Sequence, residues 1–209
     1  AWAWKRHAGF DVVCWEGNGV TTGRDIPHSL NAVPEMMWVK KRNSSTYTDW
    51  ICYHVGIGNT KYLRLSATDT PGTTINTWHD TTPTSTYFTI GQSPEANNEG
   101  DDFIAMLFAS VEGISKCGYY NGSNSEQTIT VGFQPRFLII KCTTAAEGWI
   151  VLDTTRGWGV GDDEGIRLDT NDAQGSDPYG APTATGFTLV GNWNAINQSG
   201  NDYIYYAHA

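Results

Sequence analysis

Acidic and amide side chains cluster in one stretch of the sequence. Asp169, Asn171, Asp172 and Asp177 offer oxygen atoms at short intervals, and Gly175 permits a bend among them. Closely spaced oxygen ligands around a glycine bend are typical of calcium-binding loops. The spacing differs from that of an EF-hand and the closing Glu is missing, while Asp, Asn and Gly are equally typical of turns. The stretch therefore predicts either a Ca²⁺ site or a turn-rich loop, and Ca²⁺ is the one cofactor the sequence suggests.

The same region could supply the two carboxylates of a glycosidase. Such a pair lies about 5–10 Å apart across the scissile bond. Asp162, Asp163 and Glu164 are candidates, together with the acidic stretch that begins at Asp169. Charged loop residues usually lie in solvent. A polysaccharide depolymerase is therefore an alternative function, and it requires two of these carboxylates to converge in one cleft.

The sequence gives little support to nucleophilic catalysis. It contains no Gly-x-Ser-x-Gly elbow. Its five histidines do not recur between the two copies of the repeat described below. No nucleophile, base and orienting acid can therefore be proposed together. We predict that the protein is not an enzyme, and we assign no catalytic residue.

Three tryptophans lie beside polar residues in predicted loops, which favours carbohydrate binding. Flat aromatic rings can stack on the C–H faces of sugars while polar neighbours bond the hydroxyls. Large aromatic residues are, however, more often buried than exposed. The predicted carbohydrate-binding residues are Trp78 with His79 and Asp80, Trp158, and Trp193 with Asn192 and Asn194.

Composition excludes some partners. The net charge of −9 argues against nucleic-acid binding, which requires a basic face. No run approaches the roughly 20 apolar residues of a membrane helix, so we predict no membrane insertion. The four cysteines occupy different places in the two copies of the repeat, which predicts free, mostly buried thiols.

The elements that must position these residues come twice. Residues 34–54, PEMMWVKKRNSSTYTDWICYH, align with residues 135–153, PRFLIIKCTTAAEGWIVLD, after a two-residue deletion. Residues 83–90 and 182–189 share five of eight positions. Each copy predicts a strand led by Pro, a polar loop and a strand led by Trp. The recurring pairs include Pro34 with Pro135, Lys40 with Lys141, Trp50 with Trp149, Leu65 with Leu168, and Asn97 with Asn197.

The repeat predicts the domain organisation. Residues 1–8 resemble the closing strand of a unit, which predicts that they end a preceding unit in a longer chain of such units. Residues 9–111 form the first β-sandwich repeat and residues 112–209 the second. Long loops without structure are predicted at 68–85 and 170–184.

About seven short strands per copy, with frequent turns between them, predict an all-β fold. We expect two tandem antiparallel β-sandwich units of jelly-roll-like form. An alternative is that both copies merge into one larger sandwich.

Several motifs resemble a repeat module of bacteriophage tail and tail-fibre proteins, of the type found in phages of marine and cyanobacterial hosts. They are FDVVxWxGNG at 10–19, the Pro-led strand with Lys40 or Lys141, the Trp-led strand, and NxxGxxYIYxAxA at 197–209. The resemblance covers nearly the whole chain and implies a virion structural protein of the tail. Its partners would be copies of itself, other tail proteins and a host-surface polysaccharide, and its location the virion or otherwise extracellular. A secreted, filament-forming adhesin that assembles by strand addition is a further alternative.

Overall fold

The computed structural model describes residues 9–209, so the strand predicted at residues 1–8 lies outside the described residues. The chain divides into two compact units. Of the described residues, unit 1 contains 9–65 and Pro71–Ser110. Unit 2 contains Val111–Ala209 and, in addition, Ser66–Thr70. The boundaries predicted from the sequence, 9–111 and 112–209, place these five residues in the first repeat.

Unit 1 is built almost entirely of strands. Six of them form one antiparallel sheet, and two form a second sheet. The described elements are β1 Phe10–Glu16, β2 Arg24–Pro27, β3 Met36–Lys41, β4 Ile51–His54, β5 Lys61–Arg64, β6 Gly72–Thr73, α1 Ile75–Trp78, β7 Tyr87–Ile90 and β8 Asp102–Phe108. The large sheet has the order β1-β8-β3-β4-β5-β6, and the small sheet pairs β2 with β7.

Unit 2 has the same strand order in its large sheet. Its described elements are β9 Ser115–Asn121, β10 Gln127–Thr130, β11 Phe137–Cys142, β12 Trp149–Asp153, β13 Asp163–Arg167, β14 Gly175–Asp177, β15 Pro182–Thr183, β16 Gly186–Leu189 and β17 Asp202–His208. The large sheet runs β9-β17-β11-β12-β13-β14, and the small sheet β10-β16-β15.

In each unit the two sheets pack face to face around a separate hydrophobic cluster. In unit 1, Trp15 of the large sheet meets Phe88 of the small sheet edge-on, with ring centroids 5.7 Å apart. In unit 2, Phe187 of the small sheet likewise meets Tyr205 of the large sheet edge-on, with ring centroids 5.4 Å apart. Inward-facing apolar side chains from both layers are what hold a sandwich together. The predicted all-β, antiparallel sandwich fold is confirmed.

The registers also correspond where the sequence repeats. Trp38 lies opposite Cys52 and Met106, whereas the aligned Ile139 lies opposite Val151 and Tyr206. Both central strands are apolar along most of their length, because both of their faces are buried. Descent of the two units from one ancestral copy stays a prediction.

The two long connections predicted to lack structure contain short elements. The first carries β6 and α1, and the second carries β14 and β15. The helix α1 begins after Thr74, whose hydroxyl accepts a hydrogen bond from the amide of Asn76, and it ends at His79 in the left-handed conformation. Elements of two to four residues are too short to produce a periodic signal, so the sequence did not reveal them.

Candidate functional site

Trp78 is a core residue. The helix α1 directs its ring inward, where it is 1 % exposed. Its indole nitrogen donates to the carbonyl of Lys61 at 2.9 Å, and the ring meets Tyr53 edge-on. A sugar needs an open aromatic face, so Trp78 packs the core instead of forming the predicted platform.

His79 and Asp80, predicted to assist Trp78, form the turn that follows α1. Both have positive φ angles, 50° and 49°. The His79 ring packs against Gly23, where an added Cβ would lie 2.4 Å from the ring. The carbonyl of Asp80 accepts a hydrogen bond from the Asn59 side chain. The two residues therefore shape a turn, and Trp78 offers them no exposed ring to assist.

Trp158 is likewise buried, at 3 % exposure. Its indole nitrogen donates to the carbonyl of Gly180 at 2.8 Å, and its ring packs beside Phe187. Like Trp78, it saturates its polar atom within the protein, which is how buried tryptophans are usually accommodated. Trp158 also packs the core and has no face for a sugar.

Trp193 differs from the other two. Its side chain is half-buried, and its ring meets Tyr179 edge-on with centroids 5.6 Å apart. Asn192 and Asn194 on either side of it are exposed. The carbonyl of Asn194 accepts the hydroxyl of Tyr203, which fixes this loop to β17. Of the three predicted sugar sites, this one alone combines a partly open ring with exposed amide groups.

The four predicted calcium ligands have different surroundings, and two of them contact different partners. Asp169 accepts the amide of Trp149 at 2.8 Å, and Asp177 lies beside the hydroxyl of Tyr179 at 3.4 Å. Asn171 and Asp172 are exposed. Within residues 9–209, no group of three or more His, Cys, Asp or Glu side chains is arranged to hold a metal ion. Calcium binding at this loop stays a sequence prediction.

Asp163, predicted to be a solvated loop charge, is fully buried. One carboxylate oxygen accepts the amide of Gly159, and the other accepts the amides of Tyr179 and Gly180. Burial raises the pKa of Asp163, and the three amides act in the opposite direction. This carboxylate joins two loops of unit 2.

Two buried asparagines, matched by the repeat but given no role from sequence, brace the turn after the first strand of each unit. Asn197 accepts the amide of Ser123 and donates to the carbonyls of Ser125 and Gly191. In unit 1, Asn97 accepts the amide of Asn18 and donates to the carbonyl of Val20. Both side chains are 0 % exposed. The alignment of Asn97 with Asn197 in the repeat was the sequence signal that could have revealed this role.

A second recurring contact joins the Pro-led and Trp-led strands of each unit. Lys141 donates to the carbonyl of Glu147 at 2.5 Å, and Lys40 donates to the carbonyl of Thr48 at 2.6 Å. We call these two arrangements the lysine hairpins. Each amino group donates to a loop carbonyl that lies outside the paired strands and so receives no hydrogen bond from the sheet.

His28 lines a surface depression together with residues of β1, Pro27 and Ser29. Its Nδ1 accepts the amide of Leu30, so its Nε2 donates to the carbonyl of Thr84. Burial lowers the pKa of His28. Both ring nitrogens thus serve the backbone, which leaves neither for proton transfer.

The fold and these contacts define an all-β protein of two sandwich units whose buried polar groups brace loops. The chain belongs to the family described as a domain of unknown function, DUF7483, whose model matches residues 3–209. No curated protein and no solved structure matches the chain. No helix in the described part of the chain is long and apolar enough to cross a membrane.

Proposed function

We propose that this chain is a non-enzymatic structural protein of a bacteriophage virion, belonging to the tail or a tail fibre. The resemblance of residues 10–19 and 197–209 to repeat modules of such proteins motivates the proposal. A module of this kind needs rigid, self-contained cores more than it needs reactive groups.

One observation carries the non-enzymatic part of the proposal. Every buried carboxylate in residues 9–209 holds backbone or side-chain groups of its own unit. A catalytic acid or nucleophile must instead present an oxygen to its substrate. The pairs are Asp11 with Ser29, Glu95 with Arg64, Asp153 with Arg156, and Asp163 with the amides of Gly159, Tyr179 and Gly180.

The virion role is tested by mass spectrometry of purified phage particles from the source of the gene. We expect peptides of this chain in particles that survive density-gradient purification, at a stoichiometry similar to that of other tail proteins. Their absence from such particles, with the protein present in the lysate, would overturn the assignment.

The non-enzymatic part is tested separately. The purified chain is incubated with the surface polysaccharide of the host, and new reducing ends are measured. We expect none above a buffer control. Release of oligosaccharides would establish the depolymerase alternative.

We further propose that the surface at Trp193 binds a host-surface glycan. Trp193→Ala is expected to weaken glycan binding by about tenfold or more, because loss of one aromatic stacking contact costs on the order of 1.4 kcal/mol. Glycan arrays and calorimetry on the intact chain measure this. Tyr119→Ala is the matched control, because Tyr119 is an exposed aromatic of the same unit at 72 % exposure.

Because Trp193 also contacts Tyr179, a loss of binding could follow from local unfolding. The double variant Asn192→Ala and Asn194→Ala removes only exposed side chains and should weaken binding without lowering the unfolding temperature. Unchanged glycan binding in both Trp193→Ala and the double variant would remove this site.

A further inference from the structure

The lysine hairpin of unit 2 has an additional partner. Lys141 is 0 % exposed, and its amino group donates to the carbonyl of Thr68 at 2.9 Å as well as to Glu147. Thr68 belongs to the segment Ser66–Thr70, which is part of unit 2 although the chain supplies it between β5 and β6. Burial lowers the pKa of Lys141, while Asp69 in the same segment is among the groups that act in the opposite direction.

The lysine hairpin of unit 1 has the same loop contact without that second carbonyl. Lys40 donates to Thr48, and its amino group lies 5.4 Å from the centre of the Trp50 ring. Lys40 is half-buried, whereas Lys141 is fully buried. No other hydrogen bond of the Lys40 amino group occurs within residues 9–209. An ammonium group can donate three hydrogen bonds, so the Lys40 amino group can donate to a further carbonyl.

Unit 2 contains a segment that matches the one bound to Lys141. Seven residues separate β5 from β6, and seven separate β13 from β14. The strands that flank the two connections also pair in the same register. Lys61 lies opposite Thr73, and the residues aligned with them, Glu164 and Ser176, lie opposite each other. This alignment places Leu65 on Leu168. Asn171 then takes the place of Thr68, and Asp172 the place of Asp69.

The β13–β14 connection, residues 168–174, is open to solvent along much of its length. Asn171, Asp172 and their neighbours through Gln174 are exposed. Asp172 would bring a carboxylate towards a lysine, as Asp69 does at Lys141. The chain therefore displays one hairpin that can accept a segment, and one segment of matching length, register and charge.

We propose that the β13–β14 connection of one chain binds the lysine hairpin of unit 1 in a second copy of this chain. The carbonyl of Asn171 would accept the Lys40 amino group, and Asp172 would lie beside it. The two surfaces are different, so each chain that binds at one end leaves its other end available. Such heterologous contacts generate open, head-to-tail assemblies instead of closed dimers.

This inference stands on the two hairpins and does not depend on the virion role. A single short segment buries less surface than a standard interface, so the expected association is weak and salt-sensitive. Two single variants separate its two sides. Lys40→Glu blocks the hairpin, and Asp172→Lys places a second positive charge opposite Lys40.

Sedimentation velocity over a concentration series tests the proposal on the full chain. The unmodified chain should form a concentration-dependent series of species, and each variant alone should associate at least about tenfold more weakly, because like charges would face each other across the contact. An equimolar mixture of the two variants should associate more strongly than either variant alone, because one contact joins the unaltered connection of Lys40→Glu to the unaltered hairpin of Asp172→Lys, and in the other contact the two introduced charges are opposite.

Lys61→Glu is the control for charge and composition, because Lys61 is exposed and lies outside the hairpin. It should associate like the unmodified chain. Should Lys40→Glu unfold, the exposed Asp172→Lys variant still decides the question. A chain that stays monomeric up to its solubility limit, or variants that associate as strongly as Lys61→Glu, would overturn the proposal. A closed dimer that survives both substitutions would overturn it as well.

Discussion

At the scale of residues, what recurs between the two units is a set of buried polar groups that hold loops. Asn97 and Asn197 are the clearest examples, because each satisfies backbone groups of the turn after the first strand. A buried side-chain amide stabilises a fold when all of its polar atoms form hydrogen bonds. Its removal destabilises the fold, because its former partners stay buried without a hydrogen bond. The recurrence of such residues supports the proposed scaffold role.

Asn197→Ala is therefore expected to lower the free energy of unfolding by about 2–4 kcal/mol, since it leaves the carbonyls of Ser125 and Gly191 without their donor. Asn97→Ala should cost less, because its hydrogen bonds are longer, between 3.2 and 3.4 Å. Urea unfolding measures both. The exposed Asn192→Ala should stay within about 0.5 kcal/mol of the unmodified chain. Equal stability of Asn197→Ala and Asn192→Ala would contradict the bracing role.

At the scale of elements, the loops that brace each unit depend on glycines in tight contact with a facing backbone. A Cβ added to Gly17 would lie 2.0 Å from the carbonyl oxygen of Asn98, and one added to Gly122 would lie 2.1 Å from that of Gln198. The facing atoms are backbone, so they cannot rotate away as a side chain could. The first-strand turn and the loop before the last strand are thus fitted to each other.

Gly17→Ala and Gly122→Ala should each destabilise the protein by about 1–3 kcal/mol through this overpacking. Hydrogen exchange gives a local readout, because the amides of Gly19 and Asn124 donate to Asn97 and Asn197 and should exchange faster in the respective variant. The control is Gly159→Ala, whose Cβ would meet nothing closer than 3.7 Å. If the Gly19 and Asn124 amides exchange as slowly in these variants as in the control, the close contact between the turn and the facing loop is not required for their protection.

The sequence predicted elements well where the apolar run was long. The strands β3 and β11 follow from uninterrupted apolar residues after a proline, and Trp15 was placed on a strand with its neighbours. The helix α1 escaped prediction because four residues in a Thr-rich stretch show no periodicity. Trp78 was consequently assigned to a loop surface, although the helix buries it.

The polar sites were harder to predict, because their partners are distant in sequence or belong to the backbone. Asp163 is held by amides on both sides of it, at Gly159 and at Tyr179, and nothing in an acidic triplet reveals such a turn. The contact of Lys141 with Thr68 joins residues 73 positions apart through a carbonyl, which every residue possesses. Trp193 could be nominated from its flanking asparagines, since its loop is one where local sequence and exposure agree.

At the scale of the whole molecule, the two units differ in the number of buried tyrosine hydroxyls. Burial raises the pKa of Tyr53 in unit 1 to about 12, and it does the same for Tyr179 and Tyr203 in unit 2. Tyr120, also in unit 2, has its pKa raised well above the ordinary value by burial. We therefore expect unit 2 to lose more stability than unit 1 at alkaline pH.

The direction follows from linkage. A tyrosine whose folded pKa exceeds its unfolded value of 10.0 favours the folded state while protonated. That stability is fully present below pH 10 and is lost as pH rises towards 12. Lys141 acts oppositely, because its lowered pKa makes the charged form unfavourable in the fold and that penalty disappears as pH approaches 10.5. Three tyrosines in unit 2 outnumber this single lysine.

We expect the urea midpoint of the chain to be nearly constant up to about pH 10 and then to fall, with unit 2 unfolding before unit 1. The tyrosinate absorbance that Tyr203 contributes, measured as the difference between the unmodified chain and Tyr203→Phe, should rise together with unfolding, because a buried hydroxyl ionises only once it is exposed. Tyr203→Phe lowers stability at neutral pH by removing the bonds to Asn194 and Gln198, yet it should make the alkaline decline shallower. A decline of unchanged steepness in Tyr203→Phe, or ionisation of Tyr203 near pH 10 while the chain is still folded, would contradict burial as the cause.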